Sequence, residues 1–155
     1  MKQFSRQFYF LIFTLLILFC ASFAMAQPKL QNKQIAPIAV QIAEAYKAKK
    51  LSSLDRAQLI RGSVKIVVGY VEETSETVRR FRSFKALERW LDNRVAKGLD
   101  NPGRYVRTFT GCRQGSCGFD DDGGSLHNQL YLSEILYGYR KGRPFIKALH
   151  LWNGD

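Results

Sequence analysis

The sequence predicts an α+β fold, with N-terminal helices and one further helix packed on a curved antiparallel sheet of about five strands. Three observations predict it. Apolar residues recur at helical spacing in two separate stretches, Ile38 to Tyr46 and Phe84 to Val95. Runs rich in β-branched and aromatic residues, "GSVKIVVGYVEE" and "RYVRTFT", bracket the second of these stretches. The chain then closes on "LHNQLYLSEILYGYRKGRPFIKALHLW", which reads as a long hairpin about Lys141-Gly142. The resulting order is helix, helix, strand, strand, helix, strand, strand, strand, which suits helices set against one sheet.

The first element is expected to be removed. Residues 1–26 carry Lys2 and Arg6, an apolar run from Phe8 to about Ala24, and the small-residue ending Ala24-Met25-Ala26. That is the anatomy of a signal peptide cleaved between Ala26 and Gln27, and it implies a periplasmic or secreted, soluble protein. The competing reading is a retained anchor, since the apolar run nearly reaches the roughly 17 residues a span needs. Only in that case would a membrane be a partner. Residues 27–35 are polar and expected to be flexible, leaving 36–155 as a single α+β domain with one core.

Within that domain, Ile38, Ile42, Ala45 and Tyr46 line one face of a helix. Lys47, Lys49 and Lys50 stand at its C-terminal end, where positive charge suits the dipole. Ser52 or Ser53 is expected to cap a second short helix with Leu54, Ala57, Leu59 and Ile60 as core positions and Gly62 as its stop. A strand from about Val64 to Val71 follows, then a turn at Glu73–Glu76 and a more polar strand in "TVRRFRS". Ser83 is the expected N-cap of the next helix. Phe84, Leu87, Trp90, Leu91 and Val95 form its apolar stripe, with Lys85, Glu88, Arg89 and Asp92 facing out, Gly98 at C′ and Pro102 beyond. "RYVRTFT" is the third strand.

The final hairpin supplies the candidate site. If Lys141-Gly142 is a two-residue turn, Tyr137 faces Ile146, Ile135 faces Ala148, Ser133 faces His150 and Tyr131 faces Trp152. One face then carries Tyr131, Tyr137, Tyr139, His150 and Trp152, with Arg140, Lys141 and Arg143 at the rim. The other face carries Leu130, Leu132, Leu136, Phe145, Leu149 and Leu151, with Glu134 and Lys147 close enough diagonally to pair. Both faces are apolar, so the one not covered by helices is expected to line a pocket or meet a partner.

Cysteine usage agrees with export. Cys20 leaves with the leader, and Cys112 and Cys117 are expected to form a disulfide in an oxidising compartment. Their C-x-x-x-x-C spacing among glycines in "TGCRQGSCGFDDDGG" suits a structural brace at a rigid loop tip. A redox pair is better served by C-x-x-C at a helix N-terminus.

The remaining chemistry is thin. His127 and His150 lie far apart on the hairpin, and His150 beside Ser133 lacks a third group to orient a hydrolytic base. Asp120, Asp121 and Asp122 are consecutive and lack the alternation and terminal Glu of a calcium loop, so no metal and no cofactor is expected. Cleavage leaves 22 basic against 13 acidic residues, a net charge of +9. That charge suits nucleic acid, anionic lipid, anionic glycan or an acidic protein as a partner. The arginines are spread along the chain with no dense tract, however, so a solvated basic surface is the preferred reading. Nucleic acid is disfavoured, because no recognition motif accompanies the interleaved arginines and aromatics of "YVRTFTGCR" and "YGYRKGRPF".

In element order, and in "VRRFRSFKALERWL" and the closing "YGYRKGRPFIKALHLW" hairpin, the chain resembles the nuclear transport factor 2-like superfamily. This is the cystatin-like cone of ketosteroid isomerase and SnoaL-like cyclases. The resemblance spans about Ala36 to Trp152 and implies a cone whose mouth holds a ligand and whose outer sheet face can form a homodimer. It also implies the alternative of an isomerase- or cyclase-like enzyme, although no strand carboxylate joins the hairpin tyrosines. The braced loop resembles that of the periplasmic inhibitor of vertebrate lysozyme family in cysteine spacing, but Arg113, Gln114, Gly115 and Ser116 replace its histidine-bearing loop. An enzyme inhibitor is thus a further alternative. The leading expectation is a binding protein, not an enzyme, that holds a small apolar or anionic ligand or a protein partner on the hairpin's aromatic face.

Overall fold

Three helices and a seven-stranded mixed sheet make up the computed structural model, which describes residues 33–70, 76–93, 103–120 and 129–154. The expected leader and its cleavage site, the turn at 73–75, Val95, Gly98, Pro102, Asp121, Asp122 and His127 lie outside the described residues. The α+β class is as expected, but the sheet has two more strands than the sequence suggests. No helix among the described residues is long and apolar enough to cross a membrane.

The first helix, α1, runs from 33 to 47. It begins within the stretch expected to be flexible, because Ile35 joins Ala39, Ile42, Ala43 and Tyr46 on a fully buried stripe. A short 3-10 helix, η1 (Leu51–Ala57), follows and buries Leu51 and Leu54. It stops earlier than expected, at Gln58, which takes a left-handed conformation. Leu59 and Ile60 therefore belong to the approach and start of β1 (Ile60–Tyr70). Gly62 (φ +78°) does not end a helix but lies in an irregular part of β1, where the register shifts between Ile60 and Lys65.

β2 (Glu76–Phe81) pairs antiparallel with β1 and leads into α2 (Phe84–Asp92). The Ser83 hydroxyl accepts the Ala86 N–H at 3.1 Å, which is the N-cap the sequence predicts. Phe84, Leu87 and Leu91 are buried along the expected stripe, and Trp90 packs at 5.3 Å on Phe81.

The extra strands come from one misjudged stretch. "RYVRTFT" divides into β3 (Gly103–Val106) and β4 (Phe109–Arg113), and the second cysteine lies in a further strand, β5 (Ser116–Phe119). The Cys112–Cys117 disulfide thus links directly paired residues of a β4–β5 hairpin that belongs to the sheet. The braced element is a strand pair rather than a loop standing clear of the fold. Tyr137 holds its tip from both atoms: its N–H donates to the Gly115 carbonyl at 2.9 Å and its hydroxyl to the Arg113 carbonyl at 2.6 Å.

β6 (Gln129–Arg140) and β7 (Arg143–Gly154) form the long hairpin, turned by Lys141 (φ 52°) and Gly142 (φ 72°) as expected. The sheet order is β2-β1-β7-β6-β5-β4, with β3 pairing off this path on β6. The pairs β1–β7 and β3–β6 are parallel, so the sheet is mixed rather than wholly antiparallel. One core joins the sheet's inner face to the helices, built on Tyr46, Phe84, Leu87, Ile66, Leu130, Leu132, Ile135, Ile146 and Leu149.

Beneath this core the helices are stitched by charge. Glu88, expected to face solvent, is buried. Its carboxylate accepts the Leu51 and Ser52 N–H groups at 2.9 and 3.0 Å, capping η1 from a distance. In return the Asp55 carboxylate accepts the Phe84 and Lys85 N–H groups at 2.7 and 3.0 Å, capping α2. Arg104 of β3 completes the cluster, 3.3 Å from Glu88 and 2.6 Å from Asp92, with its guanidinium over the Tyr46 ring. Tyr46 donates its hydroxyl to the Leu130 carbonyl at 2.7 Å, and burial pushes that hydroxyl's pKa far above its ordinary value.

Candidate functional site

The face shared by the five expected site residues is split by two bulges. Near the turn the pairing is the expected one, Tyr139 with Pro144 and Tyr137 with Ile146. The register then slips by one, pairing Leu136 with Ala148, Ile135 with Leu149 and Glu134 with His150. It slips back before Leu132–Leu151 and Tyr131–Trp152. One extra residue on each strand, Lys147 and then Ser133, makes the two shifts cancel. A bulge inverts the alternation on the strand that carries it.

The consequence is a different pair of faces. Tyr137 and Tyr139 turn inward with Ile135; Tyr137 belongs to the core, Tyr139 packs against it, and their rings meet edge to face at 5.9 Å. Burial raises the Tyr139 hydroxyl pKa, and the neighbouring Tyr137 adds to the shift. Tyr131, His150 and Trp152 lie on the outer face, away from the helices. Arg140 and Lys141 are exposed at the hairpin tip, and Arg143 is exposed beside the start of β1.

Glu134 also changes role. Expected to face away from His150 and near Lys147, it instead stands across from His150, Oε2 lying 3.2 Å from Nδ1. The Ser133 hydroxyl donates to the His150 carbonyl at 3.1 Å, so it is engaged with backbone rather than with the imidazole.

Three aromatics form a shelf on the outer face. Trp152, Tyr131 and Tyr105 occupy one row across β7, β6 and β3, each the register partner of the next. Trp152 is 38% exposed. Its indole lies flat over β1 because its partner there is Gly69; a Cβ at that position would come within 2.8 Å of the ring. The Arg107 guanidinium sits 5.1 Å over the Tyr131 ring. Burial raises the Tyr131 hydroxyl pKa and the Arg107 charge partly offsets that rise.

Sequence reasoning missed Tyr105, Arg107 and Gly69 as parts of this surface. Period-two alternation in "RYVRTFT" already placed Tyr105 and Arg107 on one face, but a single strand's pattern does not say which neighbour it pairs with. Parallel pairing of β3 on β6 supplies that information.

The chemistry nearest the sheet is committed to structure. Burial works to raise the Glu88 pKa, but donors from Ser52, Leu51 and Arg104 outweigh it and hold the carboxyl below its usual range. Asp55 and Asp92 carry a helix cap and an ion pair. Among the described residues, no group of three His, Cys, Asp or Glu side chains is placed to hold a metal ion.

A second concave region lies near the turn end of the long hairpin. Two clefts of about 560 and 330 Å³ share Gln58, Leu59 and Arg61. Comparisons of the chain with protein-family models, with curated proteins and with solved structures return no match.

Proposed function

We propose that this is an exported, non-enzymatic binding protein with a nuclear transport factor 2-like cone. It holds its partner against the aromatic shelf of Trp152, Tyr131 and Tyr105. The observation that carries this reading is the row itself: three rings in register on the sheet face opposite the helices, one of them an exposed tryptophan. Large aromatics anchor interfaces because they bury much apolar area with few rotatable bonds. The partner suited to such a shelf presents a flat apolar face.

Binding is preferred to isomerase-like catalysis for a physical reason. A general acid or base in a cone needs a carboxyl with a raised pKa beside a free hydroxyl. Here Glu88 is held ionised by its donors, and the Tyr46 and Tyr137 hydroxyls donate to main-chain carbonyls. The same face would serve a homodimer, in which case the partner is a second copy of the chain.

Native mass spectrometry of the exported protein tests the reading together with its Trp152→Ala and Tyr131→Ala variants. The wild type is expected to begin at Gln27, to contain the disulfide, and to retain a ligand, a protein partner or a second copy. Each variant should weaken that association at least tenfold. A bare monomer indistinguishable from both variants would sink the proposal.

A further inference from the structure

We propose that the arginine-lined cleft between η1, β1, α2 and the turn end of β7 is a binding site for a small, multiply charged oxyanion. The ligand class is a phosphorylated or polycarboxylated small molecule.

Three arginines from separate elements line two neighbouring clefts that share Gln58, Leu59 and Arg61. Arg61 stands at the start of β1 and lines both clefts. Arg82, in the link between β2 and α2, lines the larger one, and Arg143, the first residue of β7, lines the smaller. Their placement follows from local backbone geometry. The left-handed Gln58 ends η1 sharply, and the irregular stretch around Gly62 carries Arg61 out of the regular ladder. The Leu59 carbonyl accepts the Ile146 N–H at 2.8 Å, which pins this junction to β7 next to Arg143.

None of the three takes part in an ion pair among the described residues. Each cleft holds two arginines, Arg61 with Arg82 in the larger and Arg61 with Arg143 in the smaller. Cations paired around a concavity repel one another and focus a positive potential into it, and an anion relieves both costs. The one carboxylate in the lining is Asp55, whose two oxygens already accept the Phe84 and Lys85 N–H groups. It blocks the α2 N-terminus to a ligand, so a bound anion must be held by guanidinium groups. Their planar forks match phosphate and carboxylate bidentately. A volume of about 560 Å³ lies in the range of small-molecule sites.

This site is separate from the aromatic shelf. Arg143 begins β7 at the turn, whereas Trp152 lies near that strand's other end.

Titration calorimetry at low ionic strength tests the proposal, with inorganic pyrophosphate and citrate as probes and the wild type, Arg61→Gln, Arg82→Gln, Arg143→Gln and Trp152→Ala proteins as samples. The expected result is saturable one-to-one binding of at least one probe. Affinity should fall at least tenfold in Arg61→Gln, fall less in Arg82→Gln when the larger cleft holds the anion or in Arg143→Gln when the smaller does, and stay unchanged in Trp152→Ala. Tighter pyrophosphate binding points to a phosphorylated ligand, and tighter citrate binding to a polycarboxylate. Non-saturating heats, or equal affinity in wild type and all three arginine variants, would overturn the proposal. Should Arg61→Gln fail to fold, the exposed Arg82→Gln and Arg143→Gln decide together, and unchanged affinity in both also overturns it. Loss of binding in Trp152→Ala would assign the anion to the shelf instead.

Discussion

Arg104 and the arginines of the open clefts use the same side chain in opposite ways. Arg104 is buried, with its guanidinium against two carboxylates and a tyrosine ring. Arg61, Arg82 and Arg143 line two adjoining open clefts, in which the one carboxylate, Asp55 in the larger, already caps a helix. The first arrangement ties η1, α2 and β3 together and leaves no charge for a ligand. The second contributes no ion pair to the fold among the described residues and presents its charge outward. What separates a structural arginine from an available one is whether its counter-charges are supplied from within.

Breaking the buried cluster should have the largest effect. Arg104→Met leaves Glu88 and Asp92 facing each other's charge without their shared partner, and should cost about 3–5 kcal/mol in urea denaturation. Glu88→Gln keeps the shape but weakens the cap of η1 and the pairing of Arg104; about 2 kcal/mol is expected. The same cluster should confer acid sensitivity. The folded-state pKa of Glu88 lies below its unfolded value, so its contribution is complete above the unfolded value of about 4.3 and fades as pH falls through the folded one. Denaturation curves between pH 7 and pH 3 should therefore steepen in their loss of stability for the wild type and flatten for Glu88→Gln.

The next effect concerns the sheet edge. Replacing both Cys112 and Cys117 by serine removes a short cross-link and should cost about 2 kcal/mol by the chain-entropy relation. The loosening should appear as faster amide exchange in β4 and β5, leaving α2 protected. Uniform loss of protection across the sheet would show that the brace supports more than its own hairpin.

The open cleft should be the least sensitive. Arg61→Gln and Arg143→Gln are expected to change stability by no more than about 0.5 kcal/mol, as surface substitutions do. A loss of several kcal/mol in either would mean that these arginines resemble Arg104 after all, and the contrast between the clusters would collapse.

Legibility in the sequence followed the same division between local and distant causes. Ser83 capping α2, the Phe84–Leu87–Leu91 stripe, the Lys141-Gly142 turn and the cysteine pair all depend on residues within a few positions of one another. Each appears in the structure. Glu88 was misplaced because its partners, Leu51, Ser52 and Arg104, are between 16 and 37 residues away. The hairpin alternation was followed straight through Ser133 and Lys147, since period-two patterning looks the same whether or not two cancelling bulges interrupt it. Five residues expected to form one aromatic surface were divided between core and exterior as a result.

The sequence by itself determined the α+β class, the capped amphipathic helix, the hairpin turn and the disulfide, because helical and strand periodicity and turn chemistry act over short spans. Only the tertiary structure decided the two extra strands, the parallel pairing of β3 that completes the aromatic row, and the placing of Arg61, Arg82 and Arg143 around adjoining clefts. These depend on which distant segments become neighbours, and one chain's local pattern carries no record of that choice until the core is packed.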